Sequence, residues 1–432
     1  MADPGMSVSP YWELTFDADG DVDRPERDRL TAQVTERGVR DLIVFAHGWN
    51  NDRSGATALY RRFFAPVPRL APGARLGYVG VIWPSMRFSD EPIPDFPRSV
   101  AAVEAAAAPG PALDKDTRRA LLAAFPGRAA VLDQLARLLD ERPDGDGLVE
   151  FGRLVRLLVG EEGRLGPADT DEEGEPAVFA QDPATACAQF AGALAALGSP
   201  GPVSGFGIPD PWDGAKELLR QATYYTMKRR AGSVGERGLG PLLGRLAGTA
   251  PGVRVHLVGH SFGGRLVAFA LRGLPDGVRA VKSVTLLQGA FSHYAFTARL
   301  PHDPGRAGAL ADRQRRIDGP LVCCHSRFDS SLGTLYPLAS RLAGDDRSCA
   351  GERIAAVLGP RWGAMGHDGV QAVPGTARMD LAAALGGPLP ASGCVNVDAG
   401  AVVRRGDPPT GAHSDIVHPE LARLVLTAGR IR

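Results

Sequence analysis

Short, mostly apolar runs alternate along the chain with longer stretches in which apolar positions recur every three or four residues. The runs are Asp41–Ala46 (DLIVFA), Leu76–Trp83 (LGYVGVIW), Val253–Val258 (VRVHLV), Val281–Leu287 (VKSVTLL) and Leu321–His325 (LVCCH). A short apolar run bounded by charges or turn residues predicts a strand buried on both faces. Trp12–Phe16 reads as a shorter first strand and Val395–Val397 as a last one. Helical spacing follows in Gly55–Phe64, in Asp213–Ala231 (Leu218, Ala222 and Tyr225 on one face, with Asp213 placed to cap it), and in Pro419–Thr427. Strands alternating with helices predict an α/β protein with a mostly parallel sheet.

The alternation stops between Met86 and Pro211. This stretch is rich in alanine and leucine at helical spacing, as in Val131, Leu135 and Leu138, or Phe151, Leu154, Val155 and Leu158. Proline and glycine break it at 109–111, 126–127 and 143–145, and the acidic segment Glu161–Pro176 reads as an exposed, mobile loop. The pattern therefore divides the chain into a core, residues 11–85 and 212–432, and a helical insertion, residues 86–211. Apolar helical faces must pack on something, so the insertion is expected to cap the mouth of a pocket; a helical appendage away from it is the alternative.

Composition narrows the classes. A chain of 432 residues with 44% hydrophobic and 23% charged content can build a sizeable globular core. Basic and acidic residues balance at 49 each, which suggests neither a nucleic-acid nor an anionic-membrane partner. The start shows no secretory pattern and no stretch has the length of a membrane span, so a cytoplasmic location is expected. Cys187, Cys323, Cys324, Cys349 and Cys394 show no C-x-x-C spacing, so neither a disulfide framework nor a zinc site is indicated.

The chemistry concentrates where the Val253–Val258 strand meets a helix, at Gly259-His260-Ser261-Phe262-Gly263-Gly264. Small residues on both sides allow a turn sharp enough to put Ser261 at its apex, beside the free N–H of Phe262 and the positive end of the helix dipole. A second turn, His47-Gly48-Trp49-Asn50-Asn51-Asp52, ends the strand Asp41–Ala46. Together these residues resemble the α/β-hydrolase superfamily. Trp83-Pro84-Ser85 adds a resemblance to uncharacterised bacterial members with a similar His-Gly turn upstream; Trp83 itself could line a pocket or the core.

The resemblance covers residues 11–85 and 213–430 and implies an α/β-hydrolase fold, with the insertion following the fourth strand. It implies an oxyanion hole from the N–H groups of Trp49 and Phe262, and site residues in the order serine, acid, histidine. Asp329 follows the strand Leu321–His325 by a few residues and is taken as the acid, with Asp398 in reserve. Gly411-Ala412-His413 lies after the last strand, and His413 is taken as the base; His418 reads as a helix-start residue. His293 has no partner that identifies a role, and His47 and His260 belong to the two turns. The expectation is a serine hydrolase cleaving a small-molecule carboxylic ester through an acyl-enzyme at Ser261, with no metal or organic cofactor. Acyl transfer or peptide cleavage on the same residues is an alternative, as is a binding protein that keeps the fold without turnover. Dinucleotide and phosphate-loop readings fail, since Gly205-Phe206-Gly207 runs into Ile208-Pro209 and no lysine follows a glycine.

Overall fold

The computed structural model describes residues 5–49, 51–86, 88, 112–160, 168, 179, 181–198, 210–329, 331–332, 363–406 and 411–432. Its eight described strands are β1 (Tyr11–Thr15), β2 (Asp41–Ala46), β3 (Leu76–Ile82), β4 (Arg254–His260), β5 (Val281–Leu287), β6 (Pro320–His325), β7 (Ala377–Asp380) and β8 (Gly393–Asp398). They form one parallel sheet in the order β1-β3-β2-β4-β5-β6-β8-β7. Every residue of β2 and β3 is buried, as their uninterrupted apolar runs require. Each large apolar side chain buried this way stabilises by about 1.5–3 kcal/mol.

The helices are α1 (Arg24–Glu36), α2 (Arg53–Phe64), α3 (Lys115–Ala124), α4 (Ala129–Glu141), α5 (Gly147–Val159), α6 (Pro183–Gly198), α7 (Pro211–Ser233), α8 (Gly240–Thr249), α9 (Phe262–Gly273), α10 (Leu381–Gly386) and α11 (Pro419–Gly429), with short helical turns elsewhere. Helices α1, α7, α8 and α9 share a core with one face of the sheet, and α2, α10 and α11 share another with the opposite face. The first core continues without a break into α3 to α6, which pack on one another and on α7. Arg230 of α7 fastens this junction, donating to the carbonyls of Pro84 (2.8 Å) and Ala124 (3.1 Å).

Three described strands, not four, precede the insertion. The stretch before β2 turns at Asp17, whose carboxylate accepts from the N–H groups of Asp19 and Asp21, and then forms α1, capped by Asp23 through the Glu26 N–H at 2.9 Å. The start of α7 also differs from expectation. Asp210, one residue before Pro211, accepts from Trp212 N–H at 3.0 Å and is the cap, while Asp213 lies in the first turn and pairs with Arg142 at 2.9 Å. The acidic segment Glu161–Pro176 lies outside the described residues, apart from residue 168, as does Cys349. The other four cysteines are free and buried, and burial pushes the Cys324 thiol up to about 12. Among the described residues no helix is long and apolar enough to cross a membrane.

Strand order fixes where a ligand can approach. From β2 the chain moves outward to β3 on one side, whereas from β4 it moves to β5 on the other. Neighbouring strands whose connections depart in opposite directions leave a crevice beyond their carboxyl ends. Ala46 pairs with Gly259, so the turns leaving β2 and β4 emerge side by side at that crevice.

Candidate active site

Ser261 stands between β4 and α9 with φ 53° and ψ −121°, a left-handed conformation that costs a non-glycine residue about 1–3 kcal/mol. Its backbone is clamped on both sides. The N–H donates to Leu287 O at the end of β5 (3.1 Å), and the carbonyl accepts from Gly264 N (3.0 Å) and Ala290 N (3.2 Å). A β-carbon at position 263 would strike the Ala46 and His47 carbonyls, so only glycine lets α9 start this close to β2.

Three side chains from distant parts of the chain meet here. His413, in the short turn Gly411–Ser414, has Nε2 at 2.9 Å from Ser261 Oγ and Nδ1 at 2.8 Å from Asp329 Oδ2. A carboxylate can only accept, so Nδ1 carries the ring proton and Nε2 is left to accept from the serine hydroxyl. Asp329 is fully buried; its Oδ1 accepts from Leu332 N–H at 3.0 Å, and its Oδ2 also accepts from Gln288 Nε2 at 3.1 Å. Asp398 is elsewhere, exposed at the end of β8 and accepting from Gly400 N–H at 2.8 Å. His418 occupies the residue before α11, with Nε2 at 2.8 Å from Asp415.

The turn after β2 is built on buried histidine. His47 Nδ1 donates to Gly48 O at 2.9 Å, while its backbone N–H donates to the Tyr60 hydroxyl (2.9 Å) and its carbonyl accepts from Trp83 Nε1 (2.9 Å). Trp83 stacks on the imidazole at 5.6 Å, so it serves the core beneath the turn. Burial pulls the His47 ring down to about 4, which keeps it neutral and a single donor. Gly48 lies against the Ser261 turn: a β-carbon there would sit 2.7 Å from Ser261 Cβ. The Trp49 ring packs on Tyr224 (5.4 Å), Phe262 (6.2 Å) and Phe88 (6.4 Å), which brings the first part of the insertion to this turn.

Two polar residues join the site without having been singled out for a role from the sequence. Gln288, at the end of β5 with φ 49°, divides its amide N–H groups between Asp329 and the Gly366 carbonyl (2.9 Å). His260, the last residue of β4, has Nε2 at 2.9 Å from the His413 carbonyl oxygen, and the two rings lie 5.1 Å apart. Its Nδ1 is buried with no partner among the described residues, at a cost of about 1–3 kcal/mol. Strand alternation alone places His260 on the face of Val258, which packs with α11. His293 does acquire a partner, Asp368 at 3.0 Å, which His367 also contacts at 2.7 Å.

Ser261, His413 and Asp329 thus form one hydrogen-bonded line, with the first turn of α9 and the Gly48–Trp49 turn beside the serine. Set against protein-family models, curated proteins and solved structures, the chain matches none of them.

Proposed function

We propose that the protein is a serine hydrolase with an α/β-hydrolase fold, cleaving carboxylic esters through an acyl-enzyme at Ser261. The observation that carries this reading is the line Ser261–His413–Asp329 at 2.9 and 2.8 Å, with its serine in a strained turn at the switch point of the sheet. Strain of this kind is kept where it serves to project a reactive side chain.

A serine hydroxyl is a poor nucleophile at neutral pH, and His413 removes that obstacle. As Ser261 Oγ attacks the ester carbonyl carbon, its proton passes to His413 Nε2, and the positive charge on the ring is stabilised by Asp329 through Nδ1–H. Negative charge moves to the former carbonyl oxygen. The N–H of Phe262, which opens α9 and has no carbonyl one turn back, and that of Trp49, beyond Gly48, are the donors assigned to it. Collapse of this intermediate breaks the bond to the alcohol oxygen, which leaves with the proton from His413. Water then attacks the acyl group, giving its proton to His413, and the acid departs as Ser261 is regenerated. Phe88 and Tyr224, packed around Trp49, are assigned to the wall that meets the acyl chain, and the insertion to a cap over it.

The test pairs a chain-length series of p-nitrophenyl esters with fluorophosphonate labelling. Wild-type protein should turn over esters and be labelled once per chain. Ser261→Ala should stay folded, lose turnover by a factor on the order of 10⁶, and take up no label. Label retained in that variant would remove Ser261 from its role.

A further inference from the structure

We propose that His260 is a positioning residue for His413: its Nε2–H holds the backbone carbonyl of the base, so that the imidazole keeps its place between Ser261 and Asp329 while its charge changes. This rests on the hydrolase reading above.

The turn that carries His413 is short and starts with two small residues, Gly411 (φ 58°) and Ala412, of which only Ala412 has a side chain to bury. Among the described residues, two hydrogen bonds tie its backbone to other parts of the fold. Ala412 N–H donates to Phe328 O at 3.0 Å, which ties the turn to the loop of the acid, and the His413 carbonyl accepts from His260 at 2.9 Å, which ties it to the strand of the nucleophile. The second tie joins residues 153 positions apart and comes from the side chain immediately before Ser261. The base is therefore referenced to both of its partners through its main chain as well as through its ring.

The choice of histidine at 260 is otherwise hard to account for. The residue is only 3% exposed, and its Nδ1 is left without a partner among the described residues, close to where a β-carbon on Gly48 would come at 3.2 Å. An apolar side chain would fill the same place and leave no buried ring nitrogen unsatisfied. What such a side chain lacks is the N–H aimed at the carbonyl. A carbonyl accepts only, so that proton sits on Nε2. Burial, reinforced by His413 and His47 nearby, pulls the ring down to about 3. The ring thus stays neutral when His413, 5.1 Å away, becomes positive, and holds the turn without opposing that charge.

Two variants separate the donor from the packing. In His260→Gln the amide nitrogen lies the same number of bonds from Cα as Nε2 and can still donate; in His260→Leu the volume is kept and the donor is lost. The readouts are kcat and KM for a p-nitrophenyl ester per fluorophosphonate-titrated site, and the downfield proton resonance of His413 Nδ1–H, which needs no substrate. His260→Leu should lower kcat between about 10- and 100-fold with KM within about twofold, the scale of loss when a reacting group is misplaced by about 1 Å, and should lose the resonance. His260→Gln should keep kcat within about threefold and retain the resonance. The proposal is overturned if the leucine variant matches wild type, if the glutamine variant is as impaired as the leucine one or fails to fold, or if wild-type protein lacks the resonance. Absence of ester turnover and labelling in the wild type would instead sink the hydrolase reading, and the resonance comparison would still judge the tie between His260 and His413.

Discussion

At Asp329 one carboxylate oxygen serves two donors, the His413 ring and the Gln288 amide, and this sharing determines what a single-atom change would do. In Asp329→Asn an amide replaces the acceptor that fixes the proton on Nδ1, and the ring can turn to the tautomer whose Nε2 is already protonated. The expected loss in kcat/KM is about 10³- to 10⁴-fold. Asp398→Asn should stay near the wild-type value, because that side chain lies at the exposed end of β8, accepting from the Gly400 N–H and away from the His413 ring. Steady-state kinetics on both variants checks the ranking, and the reverse order would move the acid to β8. Ser261, Asp329 and His413 could be picked out from the sequence because each sits at or just past the end of a recognisable strand or in a small-residue turn. The contacts of Gln288 and His260 could not, because they reach partners 41 and 153 residues away that only the completed sheet brings close.

Among the elements, those with one dominant physical signal were the legible ones. DLIVFA and LGYVGVIW read as strands because a parallel strand covered on both faces must be almost wholly apolar. The four-residue edge strand β7, ARMD, alternates half-buried and exposed residues and carries no such signal. Helix α1 is nearly as quiet, burying only Leu30 and Val34 in an otherwise charged sequence. Within the insertion the apolar stripe of α5 does face inward: Leu154 and Leu158 are almost inaccessible, and Phe151 meets Trp212 edge-on at 5.9 Å. Replacing both leucines by asparagine should therefore lower the thermal midpoint, since each removes burial worth about 2–5 kcal/mol and adds an amide with no partner. Phe88→Ala should also lower the midpoint, since the ring is fully buried and its truncation costs about 3–5 kcal/mol, and should in addition alter the ratio of kcat/KM between short and long acyl esters, because this ring adjoins Trp49. Scanning calorimetry and the ester series measure these effects; unchanged chain-length preference in Phe88→Ala would take that ring out of the acyl wall.

For the molecule as a whole, buried neutral histidines set a lower limit of pH. His47 is pulled down to about 4 and His260 to about 3, both by burial first, and burial also lowers His256 despite its contact with Asp41. The unfolded chain titrates these rings near 6.5 and so binds more protons than the native state below that point; stability then falls with falling pH. It should be complete above about pH 6.5 and decline toward pH 4 by about 1.4 kcal/mol per unit for each of His47 and His260, with His256 adding in the same direction. Urea midpoints at pH 7, 5.5 and 4.5 measure this, and a constant midpoint would show that the rings are not held neutral. The site is also ordered in time. The candidate nucleophile and base lie 152 residues apart with the acid between them, all three beyond the carboxyl ends of strands in one parallel sheet. On a ribosome adding about 5–20 residues per second, Ser261 leaves the tunnel roughly 8–30 seconds before His413. On the hydrolase reading, the nascent chain therefore carries an unactivated serine, and acquires its reactivity only when the turn bearing His413 docks against β4.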